Sequence, residues 1–426
     1  MPERQENCRS RKNNYMRKTV YLTGIGTGSA LGMTLEAAKI IREADILIGA
    51  DRLLEPYRKN GRRILCSWKP QEIREFLDTQ ENWQKAAVLL SGDVGFYSGA
   101  SKTAGALEGY DVKMVPGISS VPALCAKLSL PWQDMKLISL HGQKVNFIAA
   151  IRDNRYTFAL MGKSGELQQV GEKLLEYGMD PVIAHIGVRL GYEDEQIVHL
   201  TARELTAAQL PSPFSAVFEN PKPQKAVLRE IPDEEFIRIT GGGTFARPVP
   251  MTKSEVRTIS LQKLELSGGA VLYDIGAGTG SVSIQAALQC PDALIYAIEK
   301  KPEAADLIRR NRIRFRTDNV TVVEGLAPDC LDGLEKPTHV FIGGSSGNIE
   351  NILETAGRLN PSVRIVINTV SLETLAQVME ILRKRNIRDV QIVQISAARA
   401  ELAGNYHLMK SLNPVVVITI PQWKSE

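Results

Sequence analysis

Apolar and polar positions first divide the N-terminal half of the chain into alternating strands and helices. Helices are predicted from Thr34, whose hydroxyl can cap the first turn, to Ala44, and from Ser119 onward. Between them lie short apolar runs rich in β-branched residues, which predict strands at 19–25, 86–92, 111–117, 157–161, 181–187 and 215–219. Such alternation predicts an α/β domain.

A second series of the same kind begins near residue 250. Its helices are predicted at 253–264, 281–288 and 302–314, the last with Pro302 at its start, where a missing N–H costs little. Its strands are predicted at 270–276, 293–299, 320–325, 339–344, 363–369, 390–396 and 414–420. The last two strands have no helix between them, which predicts an antiparallel edge on a second α/β domain.

Composition changes between the two series. Residues 219–236 contain three prolines, mixed charge and few apolar side chains, which is typical of a linker. A length of 426 residues suits two domains. We therefore expect a first domain at 18–220, a linker at 221–240 and a second domain at 241–426, preceded by a disordered basic tail at 1–17.

Charge and hydropathy exclude several classes of function. Residues 1–18 carry six basic and two acidic side chains, which accounts for the net charge of +4, so the rest of the chain is balanced. A balanced body argues against a nucleic-acid partner. No apolar stretch suits a membrane span or a signal peptide, so we expect a cytoplasmic protein. The scattered cysteines and histidines have no ligand spacing, and we predict no metal site.

The stretch "DIGAGTG" (274–280) predicts a cofactor site. Gly276, Gly278 and Gly280 permit a tight turn and close approach of a ligand to the backbone. A dinucleotide site would also place glycines here, but an acid before them, Asp274, suits a cationic ligand such as S-adenosylmethionine (SAM) better than a pyrophosphate. Glu299 ends the next strand, where its carboxylate can accept hydrogen bonds from ribose hydroxyls.

Four stretches carry a family resemblance in this half: "PMTKSEVR" (250–257), "DIGAGTGSVSI" (274–284), "VFIGG" (340–344) and "GNYHLMKSLNPV" (404–415). It resembles the class I SAM-dependent methyltransferases, a Rossmann-like fold, and especially the decarboxylating methyltransferase domains of cobalamin biosynthesis. The resemblance implies that SAM contacts Thr252, Gly276, Ala277, Gly278, Thr279, Gly280, Glu299, Gly325, Leu326 and Ala327. The family usually has Gly-Asp-Ala at 325–327, and Leu326 cannot accept a hydrogen bond from the adenine amino group.

The first glycine-rich turn, "YLTGIGTG" (21–28), lacks such acids. The later stretches "LLSGDVGFYSGAS" (89–101) and "VKMVPGISSVPALCAKLSLPW" (112–132) resemble the tetrapyrrole methylases, whose fold has two α/β subdomains with SAM between them. "LISLHG" (137–142) and "GVRLGYEDEQI" (187–197) are similar to the carbon-5 corrin branch. The resemblance places SAM near Gly92, Asp93, Ser98, Pro116, Gly117, Ile118, Ser119 and Ser120. The family usually has proline where Thr27 and Val94 stand.

Together the halves resemble the fused, decarboxylating corrin methyltransferases. The resemblance implies that the first domain methylates carbon 5 of a small-molecule tetrapyrrole. The second would methylate carbon 15 and decarboxylate the ring C acetate, with one SAM per domain. Asp93 can balance the sulfonium charge and is a catalytic candidate, as are Tyr406 and His407, which can donate hydrogen bonds or protons. We also expect a homo-oligomer.

The substrate of that family is a polyanion. Lys253, Arg257 and Arg399 are candidates for binding its carboxylates. Five arginines between residues 309 and 316 suit either an RNA surface or, as we favour, a solvated helix, and carboxylate binding by them stays open. Two other functions also stay open: an RNA or protein methyltransferase using only the C-terminal domain, and a binding protein that senses SAM.

Overall fold

The computed structural model describes residues 18–140, 146–162, 164–224, 230–238 and 248–423. The expected tail at 1–17 and parts of the expected linker lie outside the described residues. Within them, every helix is too short or too polar to cross a membrane.

The chain divides into two compact units, which differ from the expected domains mainly in two segments of the N-terminal half. The first unit takes the described residues of Met1–Gly142, Phe158–Gln168 and Ile183–Phe218. The second takes those of Gln143–Thr157, Gln169–Val182 and Glu219–Glu426. Two segments of the expected first domain, 143–157 and 169–182, are therefore grouped with the C-terminal half.

The N-terminal half contains ten strands and eight helices in its described residues. The strands are β1 (Thr19–Gly24), β2 (Ile46–Gly49), β3 (Arg63–Cys66), β4 (Lys85–Leu90), β5 (Asp111–Val115), β6 (Lys136–Ser139), β7 (Tyr156–Met161), β8 (Ile183–Val188), β9 (Gln196–Thr201) and β10 (Phe214–Glu219). The helices are α1 (Leu35–Glu43), α2 (Asp51–Leu54), α3 (Pro70–Thr79), α4 (Ala100–Ala106), α5 (Ser120–Lys127), α6 (Phe147–Asp153), α7 (Ser164–Glu176) and α8 (Ala202–Leu205).

These strands form two five-stranded sheets. The first has the order β3-β2-β4-β1-β5, and its strands run parallel. The second has the order β6-β7-β10-β8-β9. Two α/β sheets are what the tetrapyrrole methylase resemblance predicts, although β2, β3, β6 and β9 were not predicted from periodicity.

The C-terminal half contains nine further strands and five helices in its described residues. The strands are β11 (Val271–Ile275), β12 (Leu294–Glu299), β13 (Val320–Glu324), β14 (His339–Ile342), β15 (Arg364–Thr369), β16 (Gln391–Ile395), β17 (Ala398–Ala403), β18 (Tyr406–Ser411) and β19 (Val415–Ile420). The helices are α9 (Ser254–Leu264), α10 (Ser281–Gln289), α11 (Pro302–Arg314), α12 (Ile349–Leu359) and α13 (Leu372–Lys384).

Seven of these strands form one sheet in the order β13-β12-β11-β14-β15-β19-β16. The first five are parallel, and β19 lies antiparallel to β15 and β16, so the predicted antiparallel edge is confirmed. The strands that follow β11 in the sequence are added first on one side of it, as β12 and β13, and then on the other side, as β14 and β15. In open α/β sheets, ligands bind at the carboxyl ends of strands beside such a change of side.

Candidate functional site

The first unit contains a cavity of about 510 Å³. Its wall includes Thr27 after β1, Ser91 to Asp93 after β4, and Ser119 and Ser120 after β5. Residues at the ends of β7, β8 and β10 also line it. The strand-end turns that carry the tetrapyrrole methylase resemblance are therefore brought together around one space.

Asp93 fastens two of these turns to each other. Its Oδ2 accepts a hydrogen bond from the backbone N–H of Gly117 at 3.0 Å, and its Oδ1 accepts one from Gly95 at 2.8 Å. Gly117 must be glycine, because an added Cβ would lie 2.1 Å from the carbonyl oxygen of Gly92. The Asp93 carboxylate is thus part of the cavity wall, with lone pairs remaining for a ligand.

The other predicted residues of the first site divide into two groups. Gly92, Ser119 and Ser120 line the cavity, and the Ser119 Oγ caps α5 by accepting from Val121 N–H at 3.2 Å. Ser98 instead lies just before α4, where its Oγ accepts from Ala100 N–H at 3.2 Å. Pro116, Gly117, Ile118 and Ser98 are not among the residues that line the cavity.

The first glycine-rich turn makes room for a neighbouring loop. A Cβ at Gly28 would lie 2.3 Å from the ring of Tyr192, and one at Gly191 would lie 2.8 Å from the Thr27 hydroxyl. These glycines therefore let residues 27–28 and 191–192 pack closely. Sequence reasoning missed Tyr192, although it lies in the quoted stretch "GVRLGYEDEQI".

A second cavity of about 280 Å³ lies in the second unit. It is lined by Gly276 and Gly278 after β11, Glu299 at the end of β12, and the turns 325–327 and 343–346. A Cβ at Gly276 would lie 2.5 Å from the carbonyl oxygen of Gly344, and one at Gly278 would lie 2.5 Å from that of Pro250. Both glycines have positive φ, so any side chain there would be strained as well as crowded.

Glu299 connects this cavity to its glycine-rich turn. Its side chain is 8% exposed, and its Oε2 accepts a hydrogen bond from Gly278 N–H at 2.9 Å. Its Oε1 accepts one from Lys301 N–H at 3.0 Å. Each oxygen retains a lone pair. The carboxylate therefore fixes the turn and also presents an acceptor to the cavity, as the strand-end argument predicts.

Asp274 does not line the cavity, contrary to its expected contact with the cationic ligand. It is 1% exposed, and its Oδ2 accepts hydrogen bonds from the N–H and Oγ of Ser283 at 3.0 and 2.5 Å. Its Oδ1 has no hydrogen-bond partner among the described residues. Asp274 therefore ties β11 to α10, because the buried strand points its side chain into the protein.

Burial raises the pKa of Asp274 to about 6, against an ordinary value of 3.8. The folded chain then binds a proton that the unfolded chain has released, so this stabilisation is complete below about pH 3.8 and is lost as the pH rises through 6. Between pH 5 and 7 we expect the free energy of unfolding to fall by about 1 kcal/mol more in the wild type than in Asp274→Asn.

Urea unfolding at several pH values tests this expectation. Burial also raises the pKa of Asp318 to about 6. Asp318 is present in both proteins, so its contribution to the pH slope cancels when the two are compared. The same pH slope in both proteins would show that Asp274 does not titrate in this range.

Four more predicted SAM contacts also lie away from the cavity lining. Ala277 and Thr279 are buried within the turn, and Thr252 offers its carbonyl oxygen to Arg257 Nη1 at 2.7 Å. Gly280 is the N-cap residue of α10, where an added Cβ would lie 2.9 Å from the Ile308 side chain. The 325–327 turn does line the cavity, and the Leu326 side chain is partly exposed there.

The expected carboxylate-binding residues converge instead on one acid, Asp233. Arg257 is 0% exposed and donates to Asp233 Oδ1 at 3.2 Å and to Gln285 Oε1 at 2.7 Å. Arg399 lies 3.1 Å and Lys253 3.8 Å from Asp233 Oδ2. The expectation of substrate contact is thus wrong for Arg257, because no ligand can reach it. Arg399 and Lys253 already have Asp233 as an acidic partner.

Arg399 has a second partner that strengthens this conclusion. Both carboxylate oxygens of Glu255 lie 2.7 Å from its guanidinium. That hydrogen bonding lowers the pKa of Glu255 to about 2 and raises the pKa of Arg399. Sequence reasoning missed Asp233, which was assigned to the linker. Its neighbours Ile231 and Phe236 are buried in the core of the second unit.

Tyr406 and His407 lie on β18, which pairs only with β17 in the described sheets. Tyr406 is 75% exposed, and neither side chain lines a cavity described above. The strand also exposes Leu408 and Met409. Neither catalytic candidate is therefore placed in the lining of the two cavities by the structure.

The arginine cluster is partly engaged within the second unit. Arg312 forms an ion pair with Glu176 at 3.1 Å, and Arg316 donates to the carbonyl oxygens of Tyr177 and Gly178 at 3.1 and 3.0 Å. Arg152, which is buried, donates to the carbonyl oxygen of Arg316 at 2.9 Å. These contacts attach residues 143–157 and 169–182 to the C-terminal half, which neither an RNA surface nor a solvated helix would require.

Comparisons with known proteins agree with this division into two kinds of domain. Residues 19–206 match the family model of tetrapyrrole (corrin/porphyrin) methylases, and residues 243–422 match that of the precorrin methyltransferase domain. A precorrin-6Y C(5,15)-methyltransferase [decarboxylating] from Sinorhizobium sp. is 26% identical over 410 residues, which cover 94% of this chain and 95% of that protein.

Shorter relatives match the C-terminal half alone. A probable cobalt-precorrin-6B C(15)-methyltransferase (decarboxylating) from Pyrobaculum calidifontis is 40% identical over 44% of this chain and 94% of its own length. The Salmonella typhimurium cobalt-precorrin-6B C(15)-methyltransferase (decarboxylating) is 39% identical over 44% of this chain and 93% of its own length. The chain therefore belongs to the precorrin methyltransferases, as a methyltransferase in which a tetrapyrrole methylase domain precedes a precorrin methyltransferase domain.

Proposed function

We propose that the chain methylates carbons 5 and 15 of a precorrin and decarboxylates the acetate side chain on its ring C. The observation that carries this proposal is the presence of two separate cavities, each enclosed by glycine-containing turns at strand ends. A protein with one methylation reaction needs only one such cavity. The C(5,15) relative, which aligns over nearly the whole chain, supports two methylation reactions.

We propose one SAM molecule for each cavity. In the second, Gly276 and Gly278 let the turn pack tightly against the backbone of Gly344 and Pro250, and Glu299 offers acceptor lone pairs for hydroxyl groups. In the first, Asp93 supplies a negative charge and Gly92, Ser119 and Ser120 supply small or polar contacts. SAM, when bound, supplies an electrophilic methyl group. The protein's part is to hold both reactants and to exclude water.

This chemistry asks little acid–base work of the protein. The nucleophile is a ring carbon that the pyrrolic nitrogens make electron-rich, so alignment with the methyl group provides most of the rate gain. Decarboxylation uses the conjugated ring as the electron acceptor, followed by proton delivery. Cavities without a catalytic triad or a strong base in their described lining therefore suit these reactions.

The assignment of reactions to domains is tested with precorrin-6Y, SAM and the full chain. The wild type is expected to add two methyl groups and release one carbon dioxide per product, and to methylate RNA not at all. Asp93→Asn replaces an oxygen that accepts a backbone N–H with an amide nitrogen that cannot. It is therefore expected to release carbon dioxide but to add only one methyl group, as read by mass spectrometry.

Asp111→Asn is the matched control for this variant. Asp111 begins β5, whereas the Gly117 turn follows that strand's far end, so both methyl groups should still be added. Loss of carbon dioxide release in Asp93→Asn, with methylation of carbon 5 retained, would reverse the assignment. Methylation of RNA would instead favour the function that uses only the C-terminal domain. The homo-oligomer and the cytoplasmic location remain predictions.

A further inference from the structure

The first cavity carries one described side chain of each charge. Asp93 is the only acidic residue and Arg52 the only basic residue among the described residues that line it. The Asp93 oxygens accept backbone hydrogen bonds, as above. Arg52 donates from Nη1 to the hydroxyl of Tyr192 at 3.2 Å. A neutral hydroxyl does not cancel the positive charge, so the cavity retains a cationic site.

Three basic residues near Arg52 in the sequence, or in and beside the loop of Tyr192, are neutralised by acids. Arg58 pairs with Asp51, and Arg189 pairs with Asp194 at 2.7 Å. Lys127 pairs with Glu195 at 2.6 Å. Among the described residues, Arg52 has no such acidic partner, so its charge stays available to a ligand in the cavity.

The fold also holds Arg52 in place. It lies on α2, directly after β2, and its neighbours Leu53 and Leu54 are buried in the core beneath. The far end of its side chain is tethered to Tyr192, whose ring packs on Gly28 and lies 4.6 Å from the Arg189 guanidinium. Both ends of the Arg52 side chain are therefore positioned before any ligand arrives, which lowers the entropic cost of binding.

We propose that Arg52 binds a peripheral carboxylate of the acidic tetrapyrrole substrate in the first cavity, with Tyr192 holding the guanidinium for it. A guanidinium has five N–H donors in a planar arrangement that matches a carboxylate, and Tyr192 engages one of them. Asp93 then suits the cationic methyl donor and Arg52 the anionic acceptor, so the charges orient the two reactants. This inference rests on the function proposed above.

The test measures steady-state kinetics of the full chain with precorrin-6Y and with cobalt-precorrin-6B as probes. Arg52→Gln is expected to raise the KM for methylation of carbon 5 about ten- to a hundredfold, because a charged hydrogen bond is lost. Arg52→Lys keeps the charge without the planar pair of donors, so its KM should lie between those of the wild type and of Arg52→Gln. Tyr192→Phe should raise the KM less than Arg52→Gln does.

Two readouts and one control variant separate a substrate contact from a structural role. SAM affinity at the first site and carbon dioxide release at the second should both stay at wild-type values in Arg52→Gln. The matched control Arg58→Gln, six residues away and already paired with an acid, should leave every value unchanged.

An unchanged KM in Arg52→Gln would overturn the inference while leaving the proposed function intact. A fall in SAM affinity together with the rise in KM would also overturn it, because Arg52 would then support the site as a whole. If the wild type methylates neither probe, the proposed function fails first and the inference falls with it.

Discussion

Replacing Arg257 by methionine is expected to lower the free energy of unfolding of the second unit by about 3 kcal/mol. The side chain is fully buried, and its removal takes a donor away from Asp233, from Gln285 and from the Thr252 carbonyl. Arg399 still lies 3.1 Å from Asp233, which keeps the expected loss at the lower end of the range for broken buried pairs. Urea unfolding and calorimetry of the full chain measure it.

The control is Lys253→Gln, which removes a partly exposed cation 3.8 Å from the same acid. Its expected loss is under about 1 kcal/mol, because exposed ion pairs are screened by water. Adding Asp233→Asn to Arg257→Met should restore part of the stability, since the buried charge that has lost its buried partner is then gone. A raised KM for substrate with unchanged stability would return Arg257 to the substrate-binding group.

Glu299→Gln is expected to weaken SAM binding at the second site about ten- to a hundredfold. The carboxylate accepts from two backbone N–H groups, of Gly278 and Lys301, one on each oxygen. An amide would turn its NH₂ group toward one of those donors, so the turn loses a hydrogen bond as well as the charged acceptor for ribose hydroxyls. Calorimetry that resolves the two sites of the full chain measures both affinities.

The neighbouring strand supplies a matched control for this variant. Glu324 is the register partner of Glu299 on β13, but it pairs with the exposed Arg309 at 3.0 Å and does not line the cavity. Glu324→Gln should leave SAM affinity unchanged, and neither variant should affect the first site. An unaltered second-site affinity in Glu299→Gln would remove this residue from the proposed SAM site.

The fold class and the family follow from local sequence, and both are confirmed. Strand and helix periodicity identifies the parallel sheet of the second half, and a glycine needed at positive φ marks a turn wherever it occurs. The ends of neighbouring parallel strands meet at one edge, so Gly276, Gly278 and Glu299 could be placed together from their positions alone. Such inferences succeed because they depend on short-range geometry and on one topological rule.

Tertiary structure decided which charged groups face the cavities. The same strand-end reasoning expected Asp274 to contact the ligand, but packing of α10 on β11 buries its carboxylate against Ser283. Arg257 and Arg399 were expected to bind substrate, but both reach Asp233, which a proline-rich composition had assigned to a linker. Burial and ion pairing depend on partners far along the chain, which the sequence does not specify.

The same limit applies to residues that sequence reasoning overlooked. Arg52 and Tyr192 meet across 140 positions of sequence, and His185 and His199 lie opposite each other on β8 and β9, which their spacing in the sequence did not predict. The sequence by itself determined the fold, the family and the glycine turns, because these are set by local backbone preferences. The charged contacts were decided only by the tertiary structure, because side-chain charge carries no information about which distant group will neutralise it.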